Sequence, residues 1–263
     1  MHCLLTNTLF GVVLLRAQSQ LMNNSFFRVV AVFVWLTLSF GIVKASETVS
    51  FMAADGVKVF GEYYPASNQT APFIICFHMA GANRGEYASI APRLVKMGFQ
   101  VLTIDQRSGG SDFGRDNQTV AGLGKSTDYG AAQADITAAI GWAKQKSTSS
   151  KVIIWGSSYS ASLVILEAAQ NSSVSAVLAF SPGEYLGGGD RVAQAVRSVS
   201  QPLFLTSTQS EAGDVAPIFK AAHSAHKIQF VPKGAGMHGS SALLSRDGAE
   251  YWVAVARFLS QFD

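Results

Sequence analysis

KVIIWGSSYSAS, residues Lys151–Ser162, reads as a short buried strand that runs without a linker into a helix. Val152, Ile153, Ile154 and Trp155 are uniformly apolar and β-branched or aromatic, the pattern of a strand covered on both faces. Gly156-Ser157-Ser158-Tyr159-Ser160 follows, and Ala161, Leu163, Val164, Leu166, Ala168 and Ala169 continue with helical spacing. A strand that turns directly into a helix forces the residue at the bend into a strained conformation and lifts its side chain above the sheet edge. The G-x-S-x-G nucleophile elbow has this geometry. Here the motif is G-x-S-x-S, with Ser160 in place of the second glycine, and Ser158 is the candidate nucleophile. The same residues would also suit a serine-rich helix N-cap, so the rest of the chain must decide.

Outward from this stretch, strands and helices alternate. Upstream, Thr48–Met52 and Val57–Tyr64 flank Asp55-Gly56, a hairpin signal. Phe73–Phe77 (FIICF) and Phe99–Ile104 read as buried strands, with a helical pattern over Glu86–Met97 between them and another over Asp128–Lys146. Downstream come strand Val174–Phe180, a short helix near Asp190–Val199, strand Pro202–Thr206, helix Val215–Ala222, strand Ile228–Val231 and a terminal helix Glu250–Phe262. The order predicts an α/β fold whose mostly parallel sheet is flanked by helices, in one domain over residues 46–263.

The chain has 263 residues, enough for one sizeable core. Residues 1–45 stand apart. Arg28 precedes the apolar run Val29–Val43, which ends at the small-residue site Val43-Lys44-Ala45, the layout of a secretory signal peptide cleaved after Ala45. The run is short of the ~20 residues a membrane span needs, so no stable membrane insertion is expected after cleavage. Met22 is an alternative start, which makes residues 1–21 an upstream extension. The expected location is the periplasm or the medium.

The signal segment also accounts for the net charge of +3: Arg16, Arg28 and Lys44 precede the cleavage site, leaving 17 basic and 17 acidic residues after it. Nothing here favours nucleic acid, which asks for clustered Lys and Arg. Cys3 and Cys76 are the two cysteines, and only Cys76 survives cleavage, so no internal disulfide is expected. No Cys/His spacing points to a metal, and no cofactor is implied.

A serine hydroxyl needs a base, and the base needs an orienting group. His238 sits in Lys233-Gly-Ala-Gly-Met-His-Gly-Ser240, a glycine-rich loop after the last strand. That places it on the rim where a parallel sheet presents its C-terminal strand ends. His223 and His226, at a helix end, read as surface residues. The acid should follow strand Pro202–Thr206, where Glu211 and Asp214 lie. Asp214 suits the N-cap of a helix from Val215, which leaves Glu211 as the better carboxylate and Glu184, after the preceding strand, as the runner-up.

With FHMAG at Phe77–Gly81, DQRSGGS at Asp105–Ser111, GSSYS at Gly156–Ser160 and GMHGS at Gly236–Ser240, the chain resembles the α/β-hydrolase superfamily from Glu47 to Asp263. Its order Ser158, Glu211, His238 is the superfamily's order. Tyr159 after the serine looks most like dienelactone-hydrolase-like and prolyl-peptidase-like members. The resemblance implies an oxyanion hole from the backbone N–H groups of Tyr159 and Ala80, with Met79 next in line, and a carboxylesterase acting on a small-molecule ester. A peptidase or thioesterase with the same triad, or a non-catalytic binding protein on this fold, are the other readings. His78 reads as a loop-orienting residue, and Asp105 with Arg107 as a local ion pair. Only one short helix fills Ser181–Gln201, so little or no lid is expected. Met79, Tyr159 and Tyr185 would line an open site, with Phe113 reaching inward.

Overall fold

The computed structural model describes residues 45–149 and 151–262. The expected signal peptide and upstream extension therefore lie outside the described residues, apart from Ala45. Among the described residues, no helix is long and apolar enough to cross a membrane.

The chain opens with the hairpin β1 (Glu47–Met52) and β2 (Lys58–Tyr64), turned at Asp55, whose side chain accepts from the Val57 N–H. It then alternates through β3 (Phe73–Phe77), α1 (Ala91–Lys96), β4 (Gln100–Asp105), α2 (Gln118–Leu123) and α3 (Gln133–Lys146). The second half runs β5 (Val152–Ser157), α4 (Tyr159–Gln170), β6 (Val174–Phe180), α5 (Arg191–Ala195), β7 (Leu203–Thr206), α6 (Ala212–Ala221), β8 (Lys227–Phe230) and α7 (Gly248–Leu259). All eight strands form one sheet in the order β1-β2-β4-β3-β5-β6-β7-β8, antiparallel at β1/β2/β4 and parallel from β4 through β8.

Every residue of β3, β4 and β5 is buried, because alternate side chains feed two separate cores. Phe73, Ile75, Phe77, Val152 and Ile154 pack with Ile136 and Ile140 of α3 and Leu163 and Val164 of α4. Ile74, Cys76, Ile153 and Trp155 point the other way, onto Leu94 of α1 and Tyr251, Val255 and Phe258 of α7. Trp155 stacks on Phe180 at 4.7 Å between ring centroids. Burying side chains of this size stabilises by about 1.5–3 kcal/mol each, so the apolar runs of the sequence become the two faces of one sheet.

Three expectations change. The helix expected over Glu86–Met97 is a 3-10 turn at Arg84–Tyr87 followed by α1, which Pro92 helps to start. α2 falls inside the long polar connection; the Asn117 side chain caps it by accepting from the Val120 N–H. Asp105 and Arg107 do not pair with each other. Asp105 binds Arg84, while buried Arg107 is shared between Asp135 (2.8 Å) and Asp55. Asp105 and Arg107 follow one strand but diverge, so each finds a carboxylate or guanidinium from another element.

The sheet order places the site. The chain builds β4 on one side of β3, then returns to lay β5 on the other. The loops after β3 and β5 therefore leave in opposite directions and open a crevice at the C-terminal strand ends, where ligands of open α/β sheets bind.

Candidate active site

Ser158 stands at the mouth of that crevice. Its backbone is at φ 58° and ψ −124°, a left-handed conformation that an L side chain rarely adopts. The sequence enforces it from both sides. A Cβ on Gly156 would sit 2.2 Å from the Ser160 carbonyl oxygen, so only glycine lets α4 start this close to β5. Ser160 takes the place of the second glycine without crowding: its hydroxyl donates to the His78 carbonyl at 2.6 Å and stitches α4 to the loop after β3.

His238 comes from the loop after β8. Its Nε2 is 2.8 Å from Ser158 Oγ, and its Nδ1 donates to Glu211 Oε1 at 2.5 Å. Glu211 is the cap residue of α6, beyond β7. Its second oxygen accepts from the Ser181 hydroxyl at 2.7 Å and the Thr208 N–H at 3.1 Å. Burial alone would raise this carboxyl, but the hydrogen bonds from His238, Ser181 and Thr208 outweigh it and hold it at about 2. In return the hydrogen bond to Glu211 raises His238 above its ordinary 6.5. A carboxylate behind the imidazole thus favours the protonated ring that would form when Ser158 gives up its proton.

Ser181 was not read from the sequence. It has φ 55° directly after β6, donates to Glu211 and accepts from the Gly239 N–H at 3.1 Å. Its only signal was a polar residue at a strand's C-terminal end, facing the same rim as the elbow. Gly239 itself is held against the elbow: it has φ 68°, and a Cβ there would meet Ser157 Oγ at 2.4 Å.

The other carboxylates do different work. Glu184 accepts from the backbone N–H groups of Val192 and Ala193, both at 2.9 Å, and so starts α5. Asp214 is not a cap. The helix begins three residues earlier than the sequence predicts, leaving Asp214 exposed in its first turn, where a negative charge suits the positive helix end.

The two expected backbone donors are unpaired among the described residues. Tyr159 opens α4, so its N–H belongs to the first turn that a helix leaves unpaired. Ala80 N–H has no partner among the described residues, whereas Met79 N–H is bound by Glu86 Oε2 at 2.8 Å. Of the two loop donors expected from the sequence, Ala80 is the free one. His78 is fully buried and positions this loop: Nδ1 donates to the Met79 carbonyl at 2.8 Å and Nε2 accepts from the Gln106 N–H at 2.9 Å. Burial drops its pKa to about 4, so it is neutral and both ring nitrogens are committed.

A cleft of about 540 Å³ is lined by Tyr129, Tyr185, Leu186, Asp128 and Arg191, and Ser158, Glu211 and His238 are not among its walls. Tyr129 stacks on Tyr159 at 4.4 Å, which ties this wall to the residue after Ser158. Tyr185, expected as a wall of the site, lies half-exposed on this cleft. Met79 is partly buried on the loop after β3, outside this cleft; its Cε would lie 3.6 Å from a Cβ on Gly239, next to His238. Phe113, expected to reach inward, stands exposed on a turn beside Gly85. Among the described residues, no cluster of His, Cys, Asp and Glu is arranged to hold a metal.

Solved structures share this architecture. The chain superposes on the esterase Pf2001 of Pyrococcus furiosus with a TM-score of 0.68 and 19% identity, over 83% of this chain and 93% of that one. It is similar to the α/β hydrolase GrgF of a Penicillium species (TM-score 0.67, 14% identity, 83% and 99% covered). It is also similar to a dienelactone hydrolase of Anabaena variabilis (0.63, 18%, 83% and 98%). These likenesses establish the α/β-hydrolase fold. Residues 61–230 match the model of the dienelactone hydrolase family, and the chain belongs to that family of hydrolases. No curated protein matches it.

Proposed function

We propose that this protein is an exported serine hydrolase that cleaves small carboxylic esters through an acyl-enzyme. The observation that carries the reading is the unbroken line from Ser158 Oγ to His238 Nε2 (2.8 Å) and from His238 Nδ1 to Glu211 Oε1 (2.5 Å). Nucleophile, base and orienting acid are within hydrogen-bond reach before any substrate arrives.

In the first half-reaction Ser158 Oγ bonds to the ester carbonyl carbon as its proton passes to His238 Nε2. The carbonyl oxygen becomes an oxyanion between the N–H groups of Tyr159 and Ala80; each such donor contributes about 3–4 kcal/mol to the transition state. The intermediate collapses, the bond to the alcohol oxygen breaks, and His238 returns the proton to the leaving alcohol. Water then gives a proton to His238 as its oxygen attacks the acyl carbon; the bond to Ser158 Oγ breaks, His238 returns the proton to Oγ, and the carboxylic acid leaves. Glu211 stays ionised throughout and holds the ring.

The substrate enters from the open cleft, against Tyr185 and Tyr129. With only α5 and a single 3-10 turn between β6 and β7, no broad lid stands among the described residues to enclose a long acyl chain, which favours short, soluble esters. Export rests on the sequence of residues 29–45; N-terminal sequencing of protein recovered from cells should read Ser46 first, and a start upstream of it would overturn the reading.

A fluorophosphonate probe tests the catalytic reading. The wild-type protein should label stoichiometrically on Ser158 and hydrolyse p-nitrophenyl acetate, while Ser158→Ala should lose both with its thermal unfolding intact. Equal hydrolysis by the variant would overturn the assignment.

A further inference from the structure

The hydrolytic chemistry does not use one buried carboxyl at the heart of the site. Glu86 is 1% exposed and lies under the crevice, in the 3-10 turn that follows the oxyanion loop. Its Oε2 accepts from the Met79 N–H at 2.8 Å. Its Oε1 is 2.6 Å from Ser157 Oγ, the residue just before the nucleophile. Ser157 Oγ in turn accepts from the Ser240 N–H at 2.8 Å, two residues past His238.

The hydrogens can be counted. Ser157 has one, and the Glu86 carboxylate is its acceptor, since the Ser240 N–H already donates to the same oxygen. Met79 N–H occupies the other Glu86 oxygen. Both carboxyl oxygens therefore accept, which only the ionised form does without losing a bond. A proton on Oε1 would leave the Ser157 hydrogen without an acceptor, and one on Oε2 would face the Met79 N–H.

We propose that Glu86 is a positioning residue of the hydrolytic site, an ionised clamp that holds the oxyanion loop, the elbow and the histidine loop in one register. Pinning Met79 N–H turns the next N–H, that of Ala80, free to face the developing oxyanion. Fixing Ser157 steadies the strained bend at Ser158, and Ser240 anchors the loop that carries His238. Three segments distant in sequence are tied through two carboxyl oxygens. The inference rests on the hydrolytic reading above and adds a residue to it.

The clamp is also sensitive to pH. Burial raises Glu86 to about 7, against the lowering by its hydrogen bonds from Ser157 and Met79 and by His238. The titratable groups facing it are His238, Cys76 of β3, Tyr159 of α4 and its neighbour Tyr87. Burial pushes the thiol and both phenols upward, so of these four only His238 changes charge near neutrality. The negative charge of Glu86 helps to raise His238. Full activity thus needs Glu86 ionised and His238 neutral.

Glu86→Gln keeps the shape and removes the charge. We expect kcat for p-nitrophenyl acetate to fall by about ten- to a hundredfold, as misplacement of reacting groups does, with KM nearly unchanged. The acid limb of kcat/KM should move to lower pH and become less steep by one proton. Ser157→Ala, which removes a bond favouring the ionised form, should move the limb to higher pH, and it serves if Glu86→Gln fails to fold. Limbs that coincide with wild type in both variants, with or without a lower plateau, would overturn the proposal. Loss of the hydrolytic reading itself would look different: the wild-type protein would neither hydrolyse the ester nor label with fluorophosphonate.

Discussion

The Ser181 hydroxyl donates to Glu211 Oε2 at 2.7 Å while accepting from the Gly239 N–H at 3.1 Å, so one small side chain holds both Glu211 and the loop that carries His238. Ser181→Ala frees the carboxylate to turn and leaves one of its lone pairs unmatched. Hydrogen bonds to charged groups contribute about 1.5–3 kcal/mol, and kcat/KM should fall by about ten- to a hundredfold. Steady-state kinetics on a short ester, with labelling of Ser158 slowed in proportion, checks it.

The pH profile should show the acid behind the base. His238 must be neutral to take a proton, and its folded pKa is raised above 6.5, first by the hydrogen bond to Glu211. Activity should therefore rise with pH through a midpoint above 6.5. Glu211→Gln removes that cause, so the midpoint should move down while the plateau drops by roughly a hundredfold or more. Stability follows the same signs. The Glu211 contribution is present above its ordinary 4.5 and is lost as pH falls toward its folded value of about 2. The raised pKa of His238 stabilises below 6.5, a contribution lost as pH climbs through the folded value. Denaturant melts across pH report both.

Ser158 carries backbone strain that glycine would relieve. At φ 58° and ψ −124° an L side chain costs about 1–3 kcal/mol. Both Ser158→Gly and Ser158→Ala should be inactive, but the glycine variant should be the more stable of the two by about 1 kcal/mol after its greater freedom in the unfolded chain is counted. Equal unfolding midpoints would show that the bend stores no strain.

Away from the chemistry, Asp135 on α3 is completely buried and accepts from the Arg107 N–H (2.8 Å), Nε (2.9 Å) and Nη2 (2.8 Å). Asp135→Ala would leave a buried guanidinium with only Asp55, which is half-exposed. Breaking such a pair costs about 3–5 kcal/mol. The loss should appear in urea unfolding, while the Ser158–His238 geometry, and so kcat in the folded protein, stays near wild type.

Much of the molecule was legible along the chain. FIICF and VSAVLAF coincide with β3 and β6, because a strand covered on both faces reads as a near-continuous apolar run, broken in β6 only by the partly buried Ser175. Gly156, Ser158, Glu211 and His238 were legible because an elbow and a rim loop need particular residue types at strand ends. The partners of Arg107 were not, since Asp55 and Asp135 are 52 and 28 residues away and nothing local distinguishes them from Asp105. The start of α6 was misplaced because Asp214 looks like a cap, whereas tertiary contacts to Glu211 set the boundary.

Sequence alone determined which residue types sit at the bend and at the strand ends, for hydrophobic period and turn chemistry are local properties. Tertiary structure decided which of three carboxylates reaches the imidazole, which loop N–H stays free, and that the Ser181 hydroxyl meets both Glu211 and the Gly239 N–H. Those depend on directions of side chains from separate strands, and a direction in space is fixed only when the sheet closes and the loops pack against it.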